Sequence, residues 1–143
     1  MVNFSKVFVL LRGVAGSSKS TFAKYLAFLG DALNPIVITA DDYFTNTEGI
    51  YKFNPQMLGV AHNLCRIKFE DAVTRQVPLI VLANTSTKIS DFQPYIDKAQ
   101  KNDYTIFSIV MERRFEGGDN GHAVPEEALQ RQENGIKSSL KLR

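Results

Sequence analysis

Short apolar runs alternate along the chain with longer stretches in which apolar residues recur at helical spacing. The first run, VFVLL at residues 7–11, is continuous and rich in β-forming residues, which is typical of a strand buried on both faces. In the longest amphipathic stretch, Leu58, Ala61, Cys65 and Phe69 form one apolar stripe. The alternation predicts strands at residues 7–11, 36–39, 79–82 and 104–111, and helices at residues 20–29, 54–76, 90–102 and from 125 onward.

Capping residues support the positions of the predicted helices. Asn54 and Pro55 are a good helix opening, since Asn caps a helix N-terminus and Pro suits the first turn. Pro94 is compatible with a helix only near its start. The last helix begins at Pro125, is acidic in its first turn and carries an apolar docking face. The residues predicted to form that face are Leu129, Ile136 and Leu140.

The order of the elements and the length of the chain predict one α/β domain spanning residues 1–143. Strands that alternate with helices form a parallel sheet covered by helices on both sides, which is a three-layer architecture with four or so strands. At 143 residues the chain has the size of a single domain. A chain of this length buries roughly 68–70% of its unfolded surface, so it needs no disulfide or structural metal.

Composition and charge exclude several classes of protein. The net charge of +2 is too small to indicate a nucleic-acid binder by itself, and only a local basic patch would do so. The single cysteine, Cys65, excludes a disulfide framework and indicates a reducing compartment. No apolar run approaches the ~20 residues of a membrane span, and residues 1–6 are too short and polar for a secretory signal. We therefore expect a cytoplasmic protein, in the host cytoplasm if a phage encodes it.

A phosphate-binding motif lies between the first predicted strand and the first predicted helix. In the pattern GxxxxGK followed by Ser or Thr, glycines let backbone amides turn inward around phosphates and the lysine reaches the outer phosphates. The hydroxyl after the lysine, here Ser20, binds Mg²⁺. Ser18 stands in the place of the last glycine and narrows the approach to the β-phosphate; the alternative interpretation is an ordinary strand-to-helix turn. The residues predicted to bind nucleotide are Gly13, Val14, Ala15, Gly16, Ser17, Ser18, Lys19, Ser20 and Thr21.

Several motifs in a fixed order make this chain resemble a known family. After the phosphate-binding motif come ADDYF at residues 40–44, GIYKF at 49–53, LxxAHxxC at 58–65 and a third strand that ends in NT. This order resembles phage-type polynucleotide 5′-hydroxyl kinase domains and their P-loop relatives, over about residues 7–125. The resemblance implies a P-loop NTPase or kinase fold with a lid over the donor. It also implies transfer of the γ-phosphoryl group of ATP or another NTP to the 5′-hydroxyl of DNA or RNA, assisted by Mg²⁺.

The resemblance assigns roles to individual residues. Asp41, the first carboxylate after the second strand, matches the general base that accepts the 5′-hydroxyl proton; the alternative is that it only caps a turn. Lys19 and the loop amides would hold the donor phosphates. Arg113 and Arg114 would supply catalytic positive charge, unless they are solvated surface charge. The residues expected to bind the acceptor are Asp42, Tyr43, Phe44 and His62.

Three positions depart from the family pattern. Ala83 replaces a carboxylate that the family usually carries at the end of the third strand. Phe44 stands where phage-type kinases have an arginine that contacts the acceptor phosphate, and Asp119 stands in the place of the lid arginine. A catalytic arginine in a kinase-like site can be worth roughly 10³–10⁵ in rate. The arginines able to substitute for it in a rearranged lid are Arg113, Arg114 and Arg131.

Some residues have both a structural and a functional interpretation. His62 falls on the apolar stripe of its helix, so it is either a hydrogen-bonded core residue or part of the acceptor pocket. Cys65 is predicted to be a small buried hydrophobe. Residues 117–121, GGDNG, have the composition of a hinge, which suits a lid or any exposed loop. One aromatic cluster either stacks a nucleobase beside the acceptor or packs on itself. Its members are Tyr43, Phe44, Tyr51 and Phe53.

Two other functions remain open. One is a nucleotide-binding module whose catalytic power has decayed, which Ser18, Ala83 and Asp119 favour. The other is a kinase whose acceptor is a small nucleoside or metabolite, which fits the low net charge and the aromatic residue at Phe44. Nothing in the chain resembles a second catalytic domain, so we expect end healing beyond phosphorylation to require a separate phosphatase or ligase as partner.

Overall fold

A four-stranded parallel sheet forms the centre of the protein, in a computed structural model that describes residues 5–112 and 124–140. The strands are arranged in the order β2-β3-β1-β4, and β1 pairs with both β3 and β4. The strands are β1 Val7–Arg12, β2 Ile36–Ile38, β3 Leu79–Ala83 and β4 Thr105–Val110. Each lies within one residue of its predicted bounds at either end.

Within the described residues, five α-helices connect or follow these strands. Short 3-10 turns precede two other elements, Asp31–Leu33 before β2 and Pro55–Met57 before the longest helix. The helices are α1 Lys19–Leu29, α2 Asp41–Phe44, α3 Leu58–Thr74, α4 Ile89–Lys101 and α5 Glu126–Ser138. No helix of the described residues is long and apolar enough to cross a membrane.

The two faces of the sheet carry separate cores, because successive strand residues point to opposite sides. Phe8 and Leu10 of β1 face α3 and α4, where Phe69 and Phe92 pack against them. Val9 and Leu11 face α1, and with Ala23 they form a smaller cluster. Each such side chain contributes about 1.5–3 kcal/mol on full burial. The predicted three-layer α/β fold is confirmed.

Of three predictions made from local sequence, the structure confirms two and contradicts one. Asn54 Oδ1 accepts a hydrogen bond of 3.0 Å from the backbone N–H of Gln56, so it caps the 3-10 turn that leads into α3. Pro94 lies inside α4, in its second turn. The prediction that Leu140 belongs to the docking face of α5 is wrong. The helix ends at Ser138, so Leu140 leaves the helical face, and its side chain is 55% exposed.

A buried arginine connects the end of β1 to two other elements. Arg12 is fully buried; its Nε donates to Ser86 O (3.0 Å) and its Nη2 to Ser139 Oγ (2.7 Å). Its guanidinium lies 4.1 Å from the centre of the Phe92 ring. Burial lowers the pKa of Arg12, and the charge of Asp91 opposes this shift. The end of β1, the segment after β3 and the end of α5 are thereby held together where the next loop begins.

Candidate functional site

A cleft of about 710 Å³ lies at the carboxyl edge of the sheet, the edge where open parallel sheets bind ligands. Its volume falls in the range of small-molecule sites. Four segments line it: the loop after β1 with the first turn of α1, the stretch from the end of β2 into the first turns of α3, the end of β3 with the residues after it, and α5 with the two residues before it. The lining residues are Ala15, Gly16, Ser18, Lys19, Ser20, Thr21, Ala40, Asp41, Tyr51, Phe53, Leu58, His62, Ala83, Asn84, Thr85, Val124, Pro125, Ala128, Arg131 and Gln132.

The base of the phosphate loop is closely packed against the sheet. A Cβ atom on Gly13 would lie 2.5 Å from Ser17 Oγ and 2.7 Å from the carbonyl oxygen of Met111, so only glycine fits there. The Gly13 N–H donates to Thr85 O at 3.2 Å. Of the nine predicted nucleotide-binding residues, six line the cleft, and the remaining three, Gly13, Val14 and Ser17, are buried outside its lining.

Two residues of the loop have positive φ values. Gly16 has φ +79° and Ser18 has φ +68° with ψ +23°, in the left-handed region. This explains why the motif has glycine in the place of Ser18, since a left-handed residue with a Cβ atom costs roughly 1–2 kcal/mol. Ser18 is exposed and lines the cleft.

The amides of the loop and of the first turn of α1 point to an anion-binding role. Within the described residues, the backbone N–H groups of Gly16 and of residues 18–21 have no hydrogen-bond acceptor. Unsatisfied amides at the start of a helix carry the positive end of its dipole and bind phosphates. The arrangement suits the outer phosphates of a nucleotide.

Lys19 lies at the bottom of the cleft with only 9% of its surface exposed. Its Nζ donates to Val14 O at 2.9 Å and lies 3.5 Å from Ser17 Oγ. Burial lowers the pKa of Lys19 to about 8, against the opposing charge of Asp41. A bound phosphate would favour the protonated ammonium, because an adjacent opposite charge stabilises the charged form.

Asp41 is the first residue of α2 and is half-buried at the cleft wall. Asn84, buried to 8% exposure, accepts a hydrogen bond of 2.8 Å from the N–H of Ala40, the residue before Asp41. Asn84 Nδ2 also contacts Cys65 Sγ at 3.8 Å, and Cys65 is buried as predicted. Burial, the charge of Asp41 and a hydrogen bond to its carboxylate raise the pKa of Tyr51. Hydrogen bonds therefore hold both the backbone just before Asp41 and the Asp41 carboxylate itself.

A short closed loop brings Tyr51 back to Asp41. Thr45 and Tyr51 form an antiparallel bridge, and the N–H of Lys52 donates to Phe44 O at 2.8 Å. Asn46 Oδ1 accepts from the N–H groups of residues 48 and 50 at 3.0 and 2.9 Å, and Gly49 has φ +80°. Asn and Gly are the residues that such a turn requires.

Of the four predicted acceptor-binding residues, one lines the cleft and three do not. His62 is exposed and lines the cleft, so its interpretation as a hydrogen-bonded core residue is wrong. Asp42 and Tyr43 are exposed but lie outside the lining of the cleft. Phe44 is 7% exposed and packs in the core, because α2 turns it away from the cleft and toward Phe53, 5.1 Å between ring centres. These three positions do not support acceptor contacts.

The aromatic cluster packs on itself, and two of its members also line the cleft. Phe44 packs against Tyr43, Tyr51 and Phe53 at ring-centre distances of 5.2, 6.3 and 5.1 Å, so the cluster packs on itself. Tyr51 and Phe53 also line the cleft, together with Leu58. The sequence analysis did not include Leu58 among the site residues, because its position on the apolar stripe of the helix indicated only core packing.

The protein residues available for Mg²⁺ are few. Ser20, whose binding of Mg²⁺ stays a prediction, lines the cleft. Asp41 is the one carboxylate among the described lining residues, and Ala83 adds none. The described residues contain no group of three or more His, Cys, Asp or Glu that would hold a metal. Mg²⁺ in kinase sites is bound by one or two protein groups together with substrate phosphates. The donor set therefore fits a Mg²⁺ ion that arrives with a nucleotide.

Helix α5 contributes Gln132, which the sequence analysis did not name, and Arg131, which it named only as a substitute for the lid arginine. Gln132 Oε1 accepts a hydrogen bond of 3.0 Å from the N–H of Ala15 in the phosphate loop, and Arg131 beside it lines the cleft. No local signal identifies Gln132, since only the docking of the helix brings it to the loop. Several predicted residues lie outside the described residues, namely Arg113, Arg114, Asp119 and the hinge at 117–121.

No protein-family model matches the chain. Solved structures resemble it over nearly its whole length. A chain of the Pnkp1/Rnl/Hen1 RNA repair complex has a TM-score of 0.69 at 16% identity, covering 94% of this chain and 45% of that chain. An APS kinase from Mycobacterium tuberculosis has a TM-score of 0.55 at 12% identity, covering 93% of this chain and 98% of that chain. The chain has the P-loop kinase fold.

A gluconokinase from Sinorhizobium meliloti has the same P-loop kinase fold, with a TM-score of 0.54 at 17% identity, covering 93% of this chain and 75% of that chain. Among curated proteins, human NEDD4-binding protein 2 is 33% identical over 100 residues, which are 70% of this chain and 6% of that protein. The chain thus spans a small part of this curated relative. The P-loop kinase fold itself leaves the acceptor open.

Proposed function

We propose that the protein is an NTP-dependent kinase that transfers a γ-phosphoryl group to the 5′-hydroxyl end of DNA or RNA. One observation carries the proposal. The phosphate loop lines the same cleft as Asp41, whose carboxylate is hydrogen-bonded to Tyr51 and whose preceding backbone N–H, that of Ala40, donates to Asn84. Phosphoryl transfer depends mainly on positioning, on charge neutralisation and on a group that accepts the proton of the attacking hydroxyl.

The donor side is formed by the loop and the start of α1. The amides of Gly16 and residues 18–21 would bind the β- and γ-phosphates of ATP or another NTP. Lys19 would leave Val14 O and reach the outer phosphates. Ser20 would hold a Mg²⁺ ion, which supplies charge neutralisation at the phosphate oxygens when it is bound.

The chemical step uses Asp41 as the base. The carboxylate of Asp41 accepts the proton of the 5′-hydroxyl as that oxygen forms a bond to the γ-phosphorus. The bond between the γ-phosphorus and the β–γ bridging oxygen breaks, and the NDP leaves with its electron pair. Tyr51 donates a hydrogen bond to the same carboxylate and so fixes its direction. The products are a 5′-phosphate end and an NDP.

The acceptor side is consistent with a nucleoside at the end of a strand. Tyr51 and Phe53 present aromatic rings to the cleft beside Asp41, and His62 and Leu58 extend the wall. Such rings stack bases of single-stranded nucleic acid, at roughly 1–3 kcal/mol per base. The similarity to a chain of an RNA repair complex supports this acceptor class. A separate phosphatase or ligase would complete end repair.

A small hydroxyl acceptor is the second candidate. Within the described residues, the acceptor wall formed by Tyr51, Phe53, Leu58 and His62 contains neither lysine nor arginine. A strand with several phosphates usually binds to such cations. An APS kinase and a gluconokinase share the fold. A nucleoside or other small metabolite would need no contact to a flanking phosphate.

Transfer of labelled γ-phosphate from ATP with Mg²⁺ tests the proposal. The acceptors are single-stranded DNA and RNA oligonucleotides with a 5′-hydroxyl, the free nucleoside and water. Wild type is compared with Asp41→Asn, and with Asp97→Asn as a control that alters an exposed carboxylate of α4 outside the cleft. We expect labelled oligonucleotide from wild type and Asp97→Asn, and at most a trace from Asp41→Asn.

The other outcomes separate the alternatives. Transfer to the nucleoside without transfer to oligonucleotides contradicts the nucleic-acid acceptor and favours a small-molecule kinase. ATP binding without transfer to any acceptor indicates a nucleotide-binding module that has lost catalysis. Equal transfer by wild type and Asp41→Asn would remove Asp41 as the base.

A further inference from the structure

The cleft contains few charged groups among its described lining residues. They are the cations Lys19 and Arg131 and the carboxylate of Asp41. Lys19 is buried in the loop and bonded to Val14 O. Arg131 is exposed where α5 lines the cleft and makes no hydrogen bond or ion pair within residues 5–112 and 124–140. A second cation is thus available to a ligand held by the phosphate loop.

Helix α5 is fixed against the phosphate loop at its middle. Gln132 Oε1 accepts from the N–H of Ala15 at 3.0 Å. Leu129 and Ile136 are buried against Val14, the residue before Ala15. Both the polar and the apolar contacts join the helix to the phosphate loop. Because they lie on either side of Arg131 in the helix, they fix the position of its backbone relative to the loop.

The end of α5 is fixed as well. Ser139 Oγ lies 2.7 Å from Arg12 Nη2 and 2.8 Å from Thr87 O. A Cβ atom on Gly135 would lie 3.0 Å from Thr87 Cβ, so the helix packs closely on the segment after β3. Arg131 is therefore carried by a rigid element, which suits a group that must meet a reacting atom.

Arg131 lies on the face of α5 that lines the cleft. Ala128 lies one turn before Arg131, and both line the cleft, as residues three apart share a helix face. Val124 and Pro125 continue the same wall. Among the described residues, the part of the cleft lining formed by α5 and the two residues before it therefore carries one cation, Arg131.

We infer that Arg131 is the catalytic arginine of this cleft, whose guanidinium contacts the γ-phosphoryl oxygens of the NTP as the group is transferred. The inference rests on the proposed function and deepens it. Charge accumulates on those oxygens in the transition state, and a guanidinium binds two of them at once. The reaction balance is unchanged, since Arg131 neither gains nor loses a proton and forms no covalent bond.

The test compares Arg131→Ala and Arg131→Lys with Lys137→Ala, which removes an equal charge from an exposed position of the same helix outside the cleft. Turnover is measured with the best acceptor that wild type uses, ATP binding is measured separately, and thermal melting reports folding. We expect Arg131→Ala to lose about 10³-fold in kcat, the lower end of the range for such arginines. ATP affinity should change less than tenfold, and Lys137→Ala should match wild type.

Two further results identify the guanidinium itself. Added guanidinium ion should restore part of the turnover of Arg131→Ala without effect on wild type, and Arg131→Lys should remain at least tenfold impaired. The inference is overturned if Arg131→Ala keeps wild-type kcat, if Arg131→Lys is fully active, or if Arg113→Ala or Arg114→Ala shows the loss and the guanidinium rescue instead. A lower melting temperature of Arg131→Ala leaves the rescue and the Lys variant to decide.

Failure of the proposed function gives a different pattern. If wild type phosphorylates only a small acceptor, the acceptor class is wrong, and the same comparison of Arg131 variants is made with that acceptor. If wild type transfers phosphate to no acceptor, including water, the protein is no kinase and the inference fails with the proposal.

Discussion

Asn84 Oδ1 lies 2.8 Å from the backbone nitrogen of Ala40 and accepts its hydrogen bond. Ala40 ends the segment after β2 and directly precedes Asp41, whereas Asn84 directly follows β3. A buried amide side chain thus joins the carboxyl ends of two neighbouring strands, at the residue before the proposed base. In the sequence, Asn84 is the first residue of the NT pair that contributes to the family resemblance, and its contact gives the pair a physical role.

Replacing Asn84 should impair turnover by misplacing Asp41. Asn84→Ala leaves the Ala40 N–H without its acceptor, and a shift of about 1 Å at a reacting group can cost about 10²-fold in rate. We expect kcat to fall by about that factor while ATP affinity stays close to wild type. Steady-state kinetics and ATP titration check this, with Asn63→Ala on the exposed side of α3 as control. Unchanged kcat would show that Asp41 does not depend on this contact.

Ser18→Gly should stabilise the phosphate loop. Ser18 has φ +68°, and glycine removes a left-handed strain of about 1 kcal/mol while opening the approach to the β-phosphate. We expect a higher free energy of unfolding and tighter ATP binding. Ser18→Ala separates the causes, since it keeps the Cβ atom and loses only the hydroxyl. If Ser18→Ala gives the same gains, the hydroxyl and not the backbone conformation limits binding.

The ionisation of Lys19 should make both stability and nucleotide binding depend on pH. Its pKa is lowered from 10.5 to about 8 in the folded protein, so between these values the unfolded chain binds more protons. Stability therefore rises with pH across that window. We expect the free energy of unfolding of wild type, relative to Lys19→Met, to increase from pH 8 to pH 10.5.

Nucleotide binding should follow the opposite trend, because the phosphates interact with the protonated lysine. ATP affinity of wild type should decline as the pH rises above about 8. The affinity of Lys19→Met should be weak and nearly independent of pH. A flat wild-type profile in both titrations would contradict the lowered pKa of Lys19.

Arg12→Lys should destabilise the protein although it keeps the charge. Lysine cannot reproduce the fork that bonds Ser86 O and Ser139 Oγ, nor the planar contact with Phe92. Leaving buried polar groups unsatisfied costs about 1–3 kcal/mol each. We expect urea unfolding to give a free energy lower by about 2 kcal/mol or more. A change below about 0.5 kcal/mol would mean that the junction tolerates a simple cation.

The elements of the fold and the phosphate loop could be predicted from the sequence, because their signals are local. Continuous apolar runs, helical spacing and the Asn54 cap act between residues that are neighbours along the chain. The same holds for the glycines and Lys19 of the loop, and for the position of Asp41 after a buried strand. Leu140 shows the limit of such local signals. Its spacing in the sequence fits the apolar face of α5, but the helix ends at Ser138, before Leu140 is reached.

The tertiary structure decided which side chains meet in the cleft. His62 lies on the apolar stripe of its helix, yet the stripe reaches the cleft at that turn, so His62 is exposed. Phe44 is turned into the core by the short helix that presents Asp41. Arg12 is buried because three distant segments pack around it, and Arg131 lines the cleft because α5 docks on Val14 and Ala15. Spacing along the chain encodes local conformation, whereas these positions depend on packing between segments that are up to 127 residues apart.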